Sequence, residues 1–98
     1  MTDEIRVVYP DMEEMSRAFK QGVERLEDTL QEMQSIANTL EGGALLGRGG
    51  DAYVDAIRSK LCPAISRLAD KFKELDTDVQ AAVRYAREAD KRSEGFFG

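Results

Sequence analysis

The chain has 98 residues, with 19 acidic and 14 basic side chains, no His, no Trp and a single Cys. At this length we expect one domain with a single core. Without His the chain cannot form a Ser-His-Asp triad, a Cys-His pair or an imidazole metal site, so we expect no enzyme activity, no cofactor and no metal. The net charge of −5 disfavours nucleic-acid binding, which needs clustered Lys and Arg.

The first ten residues predict an extended lead-in rather than a helix. The run IRVVY is rich in β-branched and aromatic residues, and Pro10 stops a helix from entering from upstream. The opening MTDEIRVVYPDM lacks the basic start and the apolar run of a signal peptide. We therefore expect no N-terminal secretory signal and no membrane-spanning segment.

A long amphipathic helix is predicted from about 11 to 41. Asp11 is the expected N-cap, and Glu14 follows three residues later, as in a capping box. Mostly apolar residues then recur at steps of three and four, which is the helical period. These positions are Met12, Met15, Phe19, Gly22, Leu26, Thr29, Met33, Ile36 and Leu40.

Five of the eight glycines lie between 42 and 50, which predicts a turn over 42–50. Gly42 and Gly47 have the spacing of a phosphate-binding loop. However, Arg48 and Gly49 replace the Lys and Ser/Thr of that motif, and no strand precedes it. A connection between two helices is the better interpretation.

A second helix is predicted over 51–93, with Asp51 as its N-cap and a short tail at 94–98. We expect a kink near 59–63, because Pro63 removes one backbone hydrogen bond, but no full break. The apolar pattern continues through this region. Its positions are Leu61, Ile65, Leu68, Phe72, Leu75, Val79, Ala82, Ala86 and Ala89.

Two long helices with a short connection predict an all-α, antiparallel two-helix hairpin that forms a single domain over 1–98. The longer second helix overhangs the first, and Ile5, Val7, Val8 or Tyr9 could pack against this overhang. The apolar stripes exceed what one partner helix covers, so we expect two hairpins to dimerise into a four-helix bundle. The expected core and dimer residues are Phe19, Leu26, Met33, Leu61, Ile65, Leu68, Phe72 and Leu75.

Cys62 and the two aromatics near the C-terminus are further candidate sites. Cys62 has no neighbouring base that would activate it, so a small buried or half-buried residue is the favoured interpretation, and an intermolecular disulfide is the alternative. The adjacent aromatics Phe96 and Phe97 either cap the end of the bundle or belong to a partner-recognition surface.

The turn and its surroundings resemble the WXG-motif, early-secreted-antigen-like (ESAT-like) family of type VII (Esx) secretion substrates. In that family a Trp-x-Gly motif lies between two helices. Here Leu45, Leu46 and Gly47 occupy its place, and Gly49, Asp51, Ala52 and Tyr53 follow like the small residues and the aromatic that open the second helix. The opening IRV and the helix start at Pro10-Asp11 also match the family.

The tail departs from the family's Tyr-x-x-x-Asp/Glu signal, because Ala89 stands four residues after Tyr85. A looser pattern of the family fits Ala86, Asp90 and Phe97, with Ser93 as a weak match. The candidate export or partner tail therefore comprises Tyr85, Ala86, Asp90, Phe96 and Phe97. This departure favours export in the company of a partner that carries the signal.

The resemblance implies a non-enzymatic helical-hairpin homodimer, or a heterodimer with a related hairpin protein, that a membrane secretion ATPase exports in folded form. It implies a protein that is cytoplasmic before export and then secreted without an N-terminal signal peptide, with no small-molecule substrate. The alternative is an intracellular helical adaptor or chaperone-like binding module with no export role.

Overall fold

The computed structural model describes residues 9–44 and 47–97, with side chains described over 9–43 and 47–92. Helix α1 spans Tyr9–Thr39 and is followed by a wide turn at Leu40–Ala44. Helix α2 spans Arg48–Ala56, a π-helical turn spans Ile57–Leu61, and helix α3 spans Cys62–Phe97. The described residues contain no strand. The molecule measures 74 × 20 × 16 Å, and α1 packs along α3. The predicted all-α hairpin is confirmed.

Helix α1 begins earlier than expected. It starts at Tyr9, so Asp11 lies in the first turn of the helix and is not its N-cap. The physical reason is Pro10, whose fixed φ and missing N–H suit the first turn of a helix, where that N–H would have no partner. Asp11 is still favourably placed, because a carboxylate near a helix N-terminus interacts well with the helix dipole. The predicted lead-in of residues 1–8 lies outside the described residues.

The reversal between the two arms depends on two glycines with positive φ. Gly43 has a φ of 120° and Gly47 a φ of 88°, both in the region that side chains rarely adopt. Helix α2 then begins at Arg48, so Asp51 lies in the first turn and is not the N-cap that we predicted. The Asp51 N–H donates to the Gly47 carbonyl at 3.1 Å. The chain can therefore start the second arm directly at the glycine.

The second arm is continuous through the region before Pro63. Ala56, Ile57 and Cys62 all have right-handed helical φ and ψ values. The Cys62 N–H donates to the Ile57 carbonyl, five residues back, as in a π-helix. The distortion expected at 59–63 is therefore a widened turn at Ile57–Leu61. Such a turn suits the residues ahead of a proline, whose ring would crowd the preceding carbonyls of a regular α-helix.

The predicted stripes divide into an inner and an outer row. One row of each helix faces the other arm, and its members Phe19, Leu26, Met33, Ile65 and Phe72 are half-buried. The remaining inner positions form the neighbouring row of each helix. These are Ser16, Val23, Leu30 and Ala37 on α1, and Cys62, Ala69, Asp76 and Val83 on α3.

The turn end of the hairpin holds the best-buried cluster. Ala37, Val54, Ile57 and Cys62 are buried there, and Leu30, Met33 and Leu40 pack against them. Cys62 is a free, buried thiol. This cluster joins α1, α2 and the π-helical turn, so the short helix α2 is part of the hairpin rather than an appendage.

Candidate functional site

One flank of the hairpin forms an uncharged surface, called here the apolar face. Its members follow one another at seven-residue intervals on each arm, which places them in one row along each helix. They are Met15, Gly22, Thr29 and Ile36 on the first arm, and Leu61, Leu68, Leu75, Ala82 and Ala89 on the second. Four of these large side chains remain substantially exposed: Met15 and Leu68 at 46%, Ile36 and Leu61 at 43%.

The opposite flank carries ion pairs between the arms. Lys73 Nζ lies 3.3 Å from Glu27 Oε2, and Arg87 Nη2 lies 4.0 Å from Glu13 Oε2. These side chains are all at least half exposed, so each pair contributes at most about 1 kcal/mol. None of these charged residues belongs to the apolar face, which lies on the other flank. The two flanks of the hairpin therefore differ sharply in chemistry.

A further ion pair marks the turn end. Arg58 donates to both oxygens of Glu41, at 2.6 and 3.1 Å, and to Asn38 Oδ1 at 2.7 Å. The hydrogen bond from Arg58, followed by its charge, lowers the pKa of Glu41 below the ordinary carboxyl value. This two-point contact joins the end of α1 to the π-helical turn of the second arm.

A buried polar group sets the two arms in register. Ser16 Oγ donates to Asp76 Oδ1 at 2.5 Å, and Gln80 Nε2 donates to the other carboxylate oxygen at 3.0 Å. Both Ser16 and Asp76 are buried. A buried carboxylate that lacks hydrogen-bond donors destabilises the fold. Sliding one arm along the other would separate Ser16 from Asp76 and leave the carboxylate with one donor fewer. The group thus favours one alignment of the arms.

Next to this group, a glycine permits close packing of an aromatic pair. Phe19 and Phe72 meet edge to face, with ring centroids 5.6 Å apart and an angle of 68° between the rings. A Cβ atom built on Gly22 would lie 2.6 Å from Phe72 Cε2. The Phe72 ring therefore fills the space that any other residue at position 22 would require.

The candidate tail residues lie where α3 passes the start of α1. The Tyr9 hydroxyl donates to the Asp90 carboxylate, and the Arg87 guanidinium lies 4.4 Å from the centre of the Tyr9 ring. The hydrogen bond to Asp90 is the main reason that the pKa of Tyr9 is raised above its ordinary value. Tyr85 is 71% exposed, whereas Ala86 is half-buried. The Asp90 carboxylate is thus hydrogen-bonded to the first residue of α1.

Helix α3 continues to Phe97, beyond the predicted end at 93. The expected short tail at 94–98 is therefore helical as far as Phe97. The side chains of Phe96 and Phe97 lie outside the described residues. Of the turn motif, Leu45 and Leu46 lie outside the described residues as well, whereas Gly47 is described.

Two features of other protein classes are absent from the described part of the chain. No group of three or more His, Cys, Asp or Glu residues that could hold a metal ion occurs in residues 9–44 and 47–97. None of the helices in those same ranges combines the length and apolar character that a membrane span requires.

Residues 4–91 match the model of a protein family, WXG100, described as proteins of 100 residues with WXG. The chain belongs to the WXG100 family. This is a family of small, helical, non-enzymatic secreted proteins associated with type VII secretion. The resemblance noted from the turn is therefore confirmed. No curated protein and no solved structure matches the chain.

In this WXG100 chain, Gly47 is the residue that we matched to the glycine of the family motif, and it has a specific backbone role. Gly47 combines a φ of 88° with a ψ of −165°, a conformation essentially restricted to glycine. Its carbonyl also accepts the Asp51 N–H as α2 begins. The glycine is thus a backbone requirement of the turn.

Sequence reasoning did not identify the partners of Asp90. Tyr9 is expected against the overhanging end of the second helix, and it does contact that end, through Asp90 and Arg87. The available signal was the aromatic beside Pro10 at the start of a helix. Leu61 and Leu68, which we expected as core or dimer residues, lie on the apolar face and are exposed in the single hairpin.

Proposed function

We propose that this WXG100 protein is a non-enzymatic substrate or associated component of a type VII secretion system and acts as a pair of helical hairpins. The apolar face carries the proposal. It holds no charged residue among its nine positions, and its α1 row extends over about 32 Å from Met15 to Ile36. A long, uncharged and largely apolar strip on an otherwise charged hairpin is typical of a protein-protein interface.

The partner that fits this face is a second helical hairpin. The face is long and follows one row of each arm, so two further helices can lie against it and complete a four-helix bundle. Leu61, Leu68, Met15 and Ile36 would then become buried, and each large side chain would contribute up to about 1.5–3 kcal/mol if fully covered. An identical chain or a related hairpin protein satisfies the same geometry.

The tail residues would serve recognition by the secretion machinery, including its ATPase. Among the residues with described side chains, Tyr85 is the most exposed large apolar one, and it lies on the part of α3 that approaches the end of the hairpin. Asp90 lies one and a half turns further along the same helix. The bond between Tyr9 and Asp90 supports this assignment, because it joins this part of α3 to the start of α1.

The test of pairing uses two neighbouring alanines. Ala81 and Ala82 are both exposed, but only Ala82 belongs to the apolar face. Ala82→Glu should shift the mass in solution from dimer towards monomer, or abolish assembly with the related hairpin, because it buries a carboxylate. Ala81→Glu adds the same charge to the same helix and should leave the mass unchanged. Equal behaviour of the two variants would refute pairing through this face.

The test of export compares culture medium with cells in a bacterium that carries a type VII system. The wild-type chain should appear in the medium only when the secretion ATPase is intact, and removal of residues 86–98 or the Leu45→Asp change should reduce export. A cytoplasmic enzyme measured in the same medium controls for lysis. A chain that stays in the cell, yet still pairs, would favour the alternative function, an intracellular adaptor or chaperone-like module.

A further inference from the structure

The flank opposite the apolar face contains a groove near the open end of the hairpin, called here the basic groove. Its walls carry four cationic side chains, Arg17 and Lys20 on α1 and Arg84 and Arg87 on α3, against the single carboxylate of Glu13. The groove therefore has an excess of positive charge, whereas the whole chain has a net charge of −5. The charge of the groove is therefore a local feature.

The floor of the groove is partly apolar. Met12, Val79 and Val83 line it between the two arms beside the polar Ser16 and Gln80, and these three apolar residues are half-buried. Within the described residues, most of these cations have no carboxylate partner. Among the ion pairs of the described residues, only Arg87 has a carboxylate partner in the groove, Glu13, and their closest N–O distance is a long 4.0 Å. Arg17, Lys20 and Arg84 form no ion pair with any residue of that part of the chain.

We propose that the basic groove binds an acidic amphipathic helix of a partner protein. A groove between two antiparallel helices accepts a third helix, whose apolar residues would meet Met12, Val79 and Val83. Acidic residues on both edges of that helix would meet Arg17 on one wall and Arg84 on the other. Charge complementarity selects this occupant over a neutral or basic one.

A helix fits better than a lipid surface. An anionic membrane would face a large part of a chain whose net charge is −5, and repulsion would oppose binding. A single helix meets only the groove. The site is also independent of the proposed pairing, because the apolar face lies on the other flank and can be covered while the basic groove stays open.

The experiment uses the full chain and a synthetic helical peptide of about 15 residues, with Leu along one face and Glu on both edges of that face. Binding is measured by fluorescence anisotropy at low and at moderate salt, and backbone amide shifts in NMR locate the site. We expect saturable binding that weakens with salt, with shifts concentrated at Met12, Val79 and Val83.

Two double variants provide the comparison. Arg17→Glu combined with Arg84→Glu should weaken peptide binding at least about tenfold, because attraction on both walls becomes repulsion. Arg25→Glu combined with Arg67→Glu makes the same charge change on the same two helices outside the groove, and should retain binding. Circular dichroism checks that both double variants remain helical.

Several outcomes would overturn the proposal. These are no saturable binding, equal binding of a scrambled peptide or of one with Lys in place of Glu, equal loss in both double variants, or shifts confined to the apolar face. Binding to vesicles containing phosphatidylglycerol but not to the peptide would assign the groove to lipid instead. The pairing variant Ala82→Glu should bind the peptide normally, so failure of pairing and failure of this proposal are distinguishable.

Discussion

The contact between Gly22 and Phe72 makes a prediction that runs against helix propensity. Gly22 lies in the middle of α1, where Gly→Ala ordinarily stabilises a helix by up to about 1 kcal/mol. Here the added Cβ would lie 2.6 Å from Cε2 and 2.7 Å from Cδ2 of the Phe72 ring, closer than real Cβ atoms approach a neighbour. The ring would have to move, and overpacking of this kind costs about 1–3 kcal/mol.

The net effect of Gly22→Ala is therefore a loss of about 0–2 kcal/mol, the difference between these two contributions. The sign should reverse when the ring is removed. In a Phe72→Leu background the same Gly22→Ala change should stabilise the protein by about 0.5–1 kcal/mol. The expected coupling between the two positions is about 1–3 kcal/mol, as for residues in direct contact.

The assay is urea unfolding followed by circular dichroism for the four members of this cycle, at one protein concentration because assembly would add to the apparent stability. Gly49→Ala is the matched control. Gly49 lies in α2 without a positive φ, and a Cβ atom added at this position would meet open space. This control should stabilise modestly. If Gly22→Ala stabilises equally in both backgrounds, the packing argument is wrong.

Two other contacts yield predictions. Ser16→Ala removes a donor from the buried Asp76 carboxylate and should lower the free energy of unfolding by about 1–3 kcal/mol in the same urea assay. Ser35→Ala, at an exposed position of the same helix, should change it by less than about 0.5 kcal/mol, and similar losses in both would contradict the register role. For Tyr9, whose pKa is raised, the hydrogen bond to Asp90 stabilises the fold below the ordinary tyrosine pKa and is lost as the pH rises through the raised value. Asp90→Asn should therefore lower the pKa of Tyr9 in an NMR titration of its ring carbons, and an unchanged pKa would refute the contact.

Much of the candidate pairing surface can be read from the spacing of apolar residues. The stripe predicted on α1 and α3 contains both the inner row with Phe19 and Phe72 and the outer row with Met15 and Leu68. Periodicity identifies which residues share one side of a helix. It leaves open the rotation of that helix about its own axis. The stripe was therefore predicted as one surface, whereas the hairpin divides it into a core and an exposed face.

The tail contacts could be predicted far less well. The bond between Tyr9 and Asp90 depends on how far α3 extends past the start of α1, and thus on the register of the arms. That register follows from long-range packing, including the buried bond between Ser16 and Asp76. Neither residue of this buried pair belongs to an apolar pattern, so nothing local marks them as inner residues.

Local chemistry is enough to establish the helical arms, the glycine turn and the absence of a histidine-based site, because helix period, backbone freedom and residue type are properties of short segments. Even so, the start of α1 at Tyr9 and the π-helical turn ahead of Pro63 show that local rules place the boundaries of elements only roughly. Tertiary packing decided which row became the core and which charges came to line the basic groove. Both depend on how the two arms rotate and slide against each other, and this is determined by the sum of many contacts distant in sequence.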